Sequence, residues 1–272
     1  MTRIALLQMT SGIDPQANAT VIAQGIASAA DDGAAMLFTP EMSGLLDRDR
    51  ARAADSIVTE DETVPLQRAC EAAARGGIWV ALGSLAVRAG EGRWANRAFV
   101  IDPQGRIIAR YDKMHMFDVD LATGESWRES NAYAAGEEVV TVEATPLGRL
   151  GLTICYDLRF PALFEALGKL RCDVIAIPAA FTVPTGKAHW HVLQRARAIE
   201  ASAFVVAAAQ VGNHADGRRT YGHSLVVDPW GEVLLDMGGD EAGLGFAEID
   251  LARITEVRAQ VPSLANRRAI AK

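Results

Sequence analysis

Only three cysteines occur in the 272-residue chain, Cys70, Cys155 and Cys172, and no two of them share a CxxC spacing. That excludes a disulfide framework and a paired-cysteine metal or redox motif, and it points to a reducing compartment. Long apolar runs are missing too, since the best candidates are broken by Pro178 and Pro184 or stop at Gln210, so no membrane span is expected. The first apolar stretch, within Met1–Gln8, is too short for a signal peptide and no cleavage site follows it. There is no basic excess either. A formal charge of −7 and a pI near 5.3 argue against a nucleic-acid partner, and the pairs Arg218-Arg219 and Arg267-Arg268 are isolated. The chain also lacks a GxSxG elbow and a glycine-rich phosphate or dinucleotide loop in proper context. A soluble, cytoplasmic protein is the expectation.

What is present is ample core material, with half the residues apolar and 22% charged. Strand-like and helix-like segments alternate throughout. Residues 3–8, 36–38 and 79–83 read as strands. Asp14 and Pro15 open a helix with Ile22, Ile26 and Ala29 on one face, and 64–75 is a second helix that stops at Gly76-Gly77. In the second half, 160–170 and 190–201 read as helices, 174–177 and 204–209 as strands, and Leu251, Ile254 and Val261 mark a last helix. Two turns of the form Asp-Pro-x-Gly, at 102–105 and 228–231, each sit between strand segments. They lie 126 residues apart and suggest two similar halves. No linker or low-complexity segment divides the chain, so 1–272 reads as one α/β domain.

The most informative stretch runs from Gly151 to Pro161. Cys155 ends an apolar strand there, and a helix with Pro161 in its first turn follows. A cysteine at such an elbow is expected to feel the positive end of the helix, which lowers a thiol pKa. Two further ionisable residues stand just past strand ends, Glu41 in Phe38–Gly44 and Lys113 in Arg110–His115. The order Glu, Lys, Cys, the separations of 72 and 42 residues, and the words Pro40-Glu41, Asp112-Lys113 and Cys155–Pro161 together resemble the nitrilase (carbon–nitrogen hydrolase) superfamily. The resemblance runs from about Arg3 to Arg268. It implies a four-layer α-β-β-α sandwich, paired as a homodimer or a tetramer of such dimers, and a cysteine-dependent hydrolase needing no metal or organic cofactor.

Under that resemblance Cys155 is the nucleophile and Glu41 the base, while Lys113 and the Tyr156 N–H stabilise the oxyanion. Glu129, rather than Glu125, Glu137 or Glu138, matches a second glutamate that positions the lysine. The segments 180–186, 188–190, 221–224 and 227–231 resemble the Nit branch of the superfamily. That implies amide hydrolysis of a small carboxylate-bearing substrate such as deaminated glutathione or 2-oxoglutaramate. Nitrile or N-carbamoyl amino acid hydrolysis by the same triad is the alternative, and a non-catalytic scaffold is the alternative of another class. Arg159 is expected to grip a substrate carboxylate or else pair with Asp157, and Phe181 and Thr185 to line the pocket from a loop. Asp157, Arg195, Arg197 and Glu200 read as structural ion-pair residues. His189 and His191, two apart, point to opposite helix faces, which is poor metal geometry. Ala162, Lys187 and the tail 267–272 depart from the branch pattern.

Overall fold

The computed structural model describes residues 1–122, 124 and 126–268. The first half runs β1 (Thr2–Gln8), α1 (Pro15–Asp31), β2 (Met36–Phe38), α2 (Arg50–Ser56), α3 (Val64–Gly76), β3 (Trp79–Arg88), β4 (Trp94–Ile101) and β5 (Ile107–Asp112). A small hairpin, β6 (Asp118–Asp120) and β7 (Ser126–Arg128), leads into the second half. There follow β8 (Thr141–Thr145), β9 (Gly148–Leu152), α4 (Pro161–Lys169), β10 (Val174–Ala176), α5 (Val183–Ala201) and β11 (Phe204–Ala207). The chain then forms β12 (Val211–Asn213), β13 (Arg219–Tyr221), β14 (Leu225–Val227), β15 (Val233–Asp236), β16 (Gly243–Ile249) and α6 (Leu251–Gln260).

Two six-stranded sheets, ordered β16-β1-β2-β3-β4-β5 and β15-β14-β11-β10-β9-β8, carry the same pattern of directions. In each, three parallel strands are flanked by one antiparallel strand on one side and an antiparallel pair on the other. The central strands are apolar on both faces, as strands covered on both sides must be. Along β1, Ile4 and Leu6 face the core between the sheets, whereas Ala5 and Leu7 pack with residues of α1 and α3. On the other sheet Gly151 has no side chain, and a Cβ there would meet Leu167 of α4 at 2.9 Å. The layers are therefore helix, sheet, sheet, helix. The two Asp-Pro-x-Gly turns prove equivalent: Asp102 accepts from the N–H groups of Gln104 and Arg106, and Asp228 from those of Trp230 and Glu232. Each closes the β-hairpin at the matching edge of its sheet.

The reading from sequence needs three adjustments. Helix α5 starts at Val183, with Pro184 in its first turn, so Thr185 lies on a helix and not in a loop. Val261 falls just beyond α6. Strands β3 and β4 extend to Arg88 and back to Trp94, as a ladder interrupted by one irregularity. Residues 269–272 of the atypical tail, and Glu125, lie outside the described residues.

Topology brings the future site together. Glu41 follows β2, Cys155 follows β9 and Ala180 follows β10, all beyond the carboxyl ends of parallel strands, where crevices form in α/β sheets. Gly83 on β3 permits the closest approach, because a Cβ there would stand 2.0 Å from the Thr39 carbonyl and 2.6 Å from Pro178 Cβ. Any side chain at that point would push the Glu41 loop and the Pro178 loop apart.

Candidate active site

Three ionisable groups, Lys113 and Glu41 buried and Glu129 partly so, meet at the floor of one cleft. The Lys113 ammonium lies 2.9 Å from Glu41 Oε1 and 3.0 and 2.8 Å from the two carboxylate oxygens of Glu129. Asn96 spans both acids, its Nδ2 donating to Glu41 Oε1 at 2.9 Å and to Glu129 Oε1 at 3.1 Å. The second oxygen of Glu41 accepts from the Ala180 N–H at 2.9 Å, and that of Glu129 from the Phe117 N–H at 2.7 Å. Gln210, fully buried, holds the Glu41 carbonyl at 2.9 Å and Ser11 with its amide. Every carboxylate oxygen therefore has a donor, which is what makes buried charge tolerable.

Cys155 opens a 3₁₀ turn, Cys155–Arg159, and five residues separate it from Pro161 of α4. Its φ is +47°, and Met42 beside Glu41 has φ +55°. Such left-handed backbone in non-glycine residues is a strain that the surroundings must hold. The Cys155 N–H donates to the Pro178 carbonyl at 2.8 Å, fixing the turn to the next strand. Tyr156 sits in the first turn, where backbone N–H groups have no intrahelical acceptor and can face a ligand.

Asp157, with no exposed surface, ties this elbow to the lysine segment. It accepts from the Tyr111 hydroxyl at 2.6 Å, from the His115 N–H at 3.0 Å and from the Ile154 N–H at 2.9 Å, and its other contact is the His115 ring at 2.7 Å. Tyr111 and His115 lie two residues on either side of Lys113. One carboxylate thus ties the segment carrying the thiol to the segment carrying the ammonium. Arg159 does not pair with it, because Asp157 is already saturated. Instead the Arg159 guanidinium lies 3.2 Å from His189 Nδ1 and over the rings of Tyr156 and Phe181. Arg197, from α5, donates to the Leu158 carbonyl and pairs with Glu200, and Arg195 donates to the Gly231 carbonyl. These roles are structural.

The electrostatics differ from the expectation at the thiol. Burial pushes the Cys155 thiol well above its ordinary value, and the Glu41 carboxylate adds to this while Lys113 opposes it. Burial also works to raise the Glu41 pKa, yet Lys113 and hydrogen bonds from Cys155 and Asn96 outweigh it and hold the carboxyl below 4.5. For Lys113, burial works downward, but Glu129, Glu41 and Cys155 raise it well above 10.5. The resting state is a neutral thiol beside a carboxylate, with a charged ammonium.

The cleft is lined by Glu41, Lys113, Glu129, Cys155, Tyr156, Arg159, Phe181 and Thr185, so every site residue expected from sequence reaches it. Asn96 was not legible as a site residue; its only signal is a polar side chain inside an apolar strand. Trp127, whose indole N–H has no partner among the described residues, also lines the cleft.

A model of the carbon–nitrogen hydrolase family matches residues 3–259. The chain belongs to that family. It is 40% identical, over 97% of its length and 92% of the relative's, to a deaminated glutathione amidase of Yersinia enterocolitica. The fold matches the C. elegans NitFhit protein with a TM-score of 0.90 and 37% identity, covering 98% of this chain and 65% of that one. It also matches a Glu-to-Gln mutant of an amidase from Nesterenkonia sp. AN1, bearing the acetamide moiety of fluoroacetamide covalently added at its active site cysteine. That match has a TM-score of 0.82 and 26% identity, over 98% of this chain and 94% of that one.

The hydrolase should be sensitive to its buried cation. Lys113→Met leaves Glu41 and Glu129 facing each other without compensation, a change that costs about 3–5 kcal/mol for buried pairs. The Glu41 contribution exists above pH 4.5 and is lost as pH falls through its depressed native value. Urea unfolding should therefore show a large deficit for Lys113→Met at neutral pH that shrinks in acid. A deficit independent of pH would contradict this electrostatic account.

Proposed function

We propose that this chain is a cysteine amidase acting through a thioester, with Cys155, Glu41 and Lys113 as its catalytic residues. The observation that carries the reading is the juxtaposition of a neutral thiol, an ionised carboxylate and a fixed ammonium in one buried cluster. Glu41 takes the Cys155 proton as sulfur attacks the amide carbon, forming the C–S bond. The tetrahedral oxyanion lies against Lys113 Nζ and the Tyr156 N–H. Glu41 then gives its proton to the departing nitrogen and the C–N bond breaks. Water, deprotonated by Glu41, attacks the thioester; the C–S bond breaks, sulfur regains a proton and the acid leaves. Glu129 holds Lys113 in place throughout. A scaffold protein would have no use for such a costly buried charge cluster, and the covalently modified cysteine of the Nesterenkonia amidase supports turnover.

The substrate reading rests on charge. In a chain of net charge −7, the cleft gathers Arg48, Arg50, Arg128, Arg159, Arg218 and Arg219 with Lys113, against Glu41, Asp47 and Glu129. Arg128 pairs with Asp120 and Arg218 with Asp216, whereas Arg48, Arg159 and Arg219 make no salt bridge among the described residues. A field of this sign concentrates anions. Arg159 suits bidentate capture of a carboxylate near the elbow. Deaminated glutathione carries a carboxylate on each side of its scissile amide, and 2-oxoglutaramate on the acyl side only. The additional free arginines favour the former, as does the Yersinia relative's name.

We also propose a symmetric homodimer in a reducing, cytoplasmic setting. Val192 and Ile199 share an exposed face of α5, and Gly231 of the β14–β15 turn abuts Ile199, with Trp230 exposed beside it. This is an apolar face beside the elbow that a second copy would cover. Among the described residues no helix is long and apolar enough to cross a membrane, and all three cysteines are free.

Mass spectrometry of enzyme quenched during turnover should show an acyl adduct on the Cys155 peptide, and Cys155→Ala should fold yet hydrolyse nothing; an adduct on Cys70 or Cys172 would remove the assignment. In a panel of deaminated glutathione, 2-oxoglutaramate, succinamate, a simple nitrile and an N-carbamoyl amino acid, the first should be preferred. Arg159→Lys should raise KM about tenfold for the carboxylate-bearing amides, equivalent to about 1.4 kcal/mol, and preference for the nitrile or carbamoyl compound would sink the substrate reading. Sedimentation at micromolar concentration should show a dimer that Ile199→Glu dissociates; a fully active monomer would count against the pairing.

A further inference from the structure

Outside the cleft, three metal-ligating side chains converge where α5 passes the β14–β15 hairpin. His191 Nε2 lies 2.9 Å from Asp236 Oδ2, and His223 Nδ1 lies 2.9 Å from Asp236 Oδ1. The three ligand atoms fall within 4.8 Å of one another, and no other such cluster of His, Cys, Asp and Glu occurs among the described residues. Among the described residues no lysine or arginine pairs with Asp236; the carboxylate also accepts from the Gly238 N–H at 3.0 Å.

The rings are supported from behind. His223 has φ +56°, a left-handed backbone that a non-glycine residue adopts at a cost. Its N–H donates to the Gly238 carbonyl at 2.7 Å, and its carbonyl accepts from the indole of buried Trp190, the residue preceding His191. Tyr221 stacks on the His223 ring with centroids 4.3 Å apart. All three side chains keep a quarter to a third of their surface exposed, so an ion can reach them.

We propose that His191, His223 and Asp236 form a binding site for a divalent transition-metal ion of the zinc class. Two imidazole nitrogens and one carboxylate oxygen are a borderline donor set suited to zinc, and too few oxygens for calcium or magnesium. Tetrahedral coordination with bonds of about 2.0–2.1 Å places neighbouring ligands about 3.3 Å apart. The partly exposed rings close to that spacing by small side-chain rotations. Each ring nitrogen that now faces Asp236 gives its lone pair to the metal, and the ring proton resides on the other nitrogen. Water takes the fourth position.

None of the three residues lines the cleft, so the ion stands apart from thioester chemistry. It would join α5 to β15. Thr185 in the first turn of α5 and Thr220 beside Tyr221 do line the cleft, and Gly186 packs directly on the Tyr221 ring. The ion therefore braces a cleft wall.

The test uses the full chain carrying Cys155→Ala, stripped with EDTA, so that the active-site thiol cannot bind metal. Equilibrium dialysis should find one equivalent of Zn²⁺, and zinc should raise the melting temperature. Co²⁺ should give visible d–d absorption without a thiolate charge-transfer band. Asp236→Asn and His191→Gln, whose amides are long enough to keep a hydrogen bond between the two positions, should each weaken binding at least about tenfold, about 1.4 kcal/mol. Absence of bound zinc, a thiolate band showing capture by Cys70 or Cys172, or unchanged affinity in both folded variants would overturn the proposal.

Discussion

An ammonium buried between two carboxylates is tolerated only when every carboxylate oxygen around it has a donor, and that requirement reaches far from Lys113. It calls for Asn96 from β4, the Ala180 N–H from the loop after β10 and the Phe117 N–H from the segment after β5. Elements from both sheets must therefore arrive at one point in fixed register. Were any of them displaced, a buried charge would lose its partner, and the penalty for such a loss exceeds that of most packing defects. The cluster and the fold specify each other.

The two-sheet arrangement makes this possible through its internal repetition. Each sheet presents the carboxyl ends of three parallel strands, so loops from both open toward the same cleft. The repetition is not carried into the chemistry: Glu41 follows the second strand of its parallel trio, β2, while Cys155 follows the first of its own, β9. Asp157 resolves the offset by binding the residues on both sides of Lys113. Gly83 resolves it sterically, by letting the Glu41 loop and Pro178 approach within contact.

Much of this was legible in the chain. Glu41, Lys113 and Cys155 stand where local patterns end strands, and the Asp-Pro-x-Gly turns announced the repeated hairpins. What was hidden depends on long-range contact. Asn96 looks like any polar interruption of a strand until the partners 55 and 33 residues away are known. Of the two readings of Arg159, the pairing with Asp157 is absent because that acid, the nearest in sequence, is spent on Tyr111, His115 and the Ile154 N–H. His191 and His189 do point apart, as helical spacing requires, but no local pattern could bring Asp236 from 45 residues away to the former. The start of α5 was missed because its first two turns carry Pro184 and Gly186, residues that normally argue for a loop.

The thiol is where local reasoning failed most usefully. A helix N-terminus lowers a cysteine pKa, but only within its first turn, and a 3₁₀ turn intervenes between Cys155 and α4. Burial and a carboxylate neighbour therefore dominate and keep the sulfur protonated. A permanently ionised thiolate in an open cleft would be exposed to oxidation. In the proposed mechanism a neutral thiol gains nucleophilic character only as Glu41 removes its proton, and the Glu41 carboxyl is held ionised by Lys113 and by hydrogen bonds from Cys155 and Asn96. Activation is thus tied to the base and the ammonium together. The buried cation, which stabilises the fold by separating two acids, also keeps the Glu41 carboxyl ionised, while burial and that carboxylate keep the thiol neutral against the pull of the ammonium.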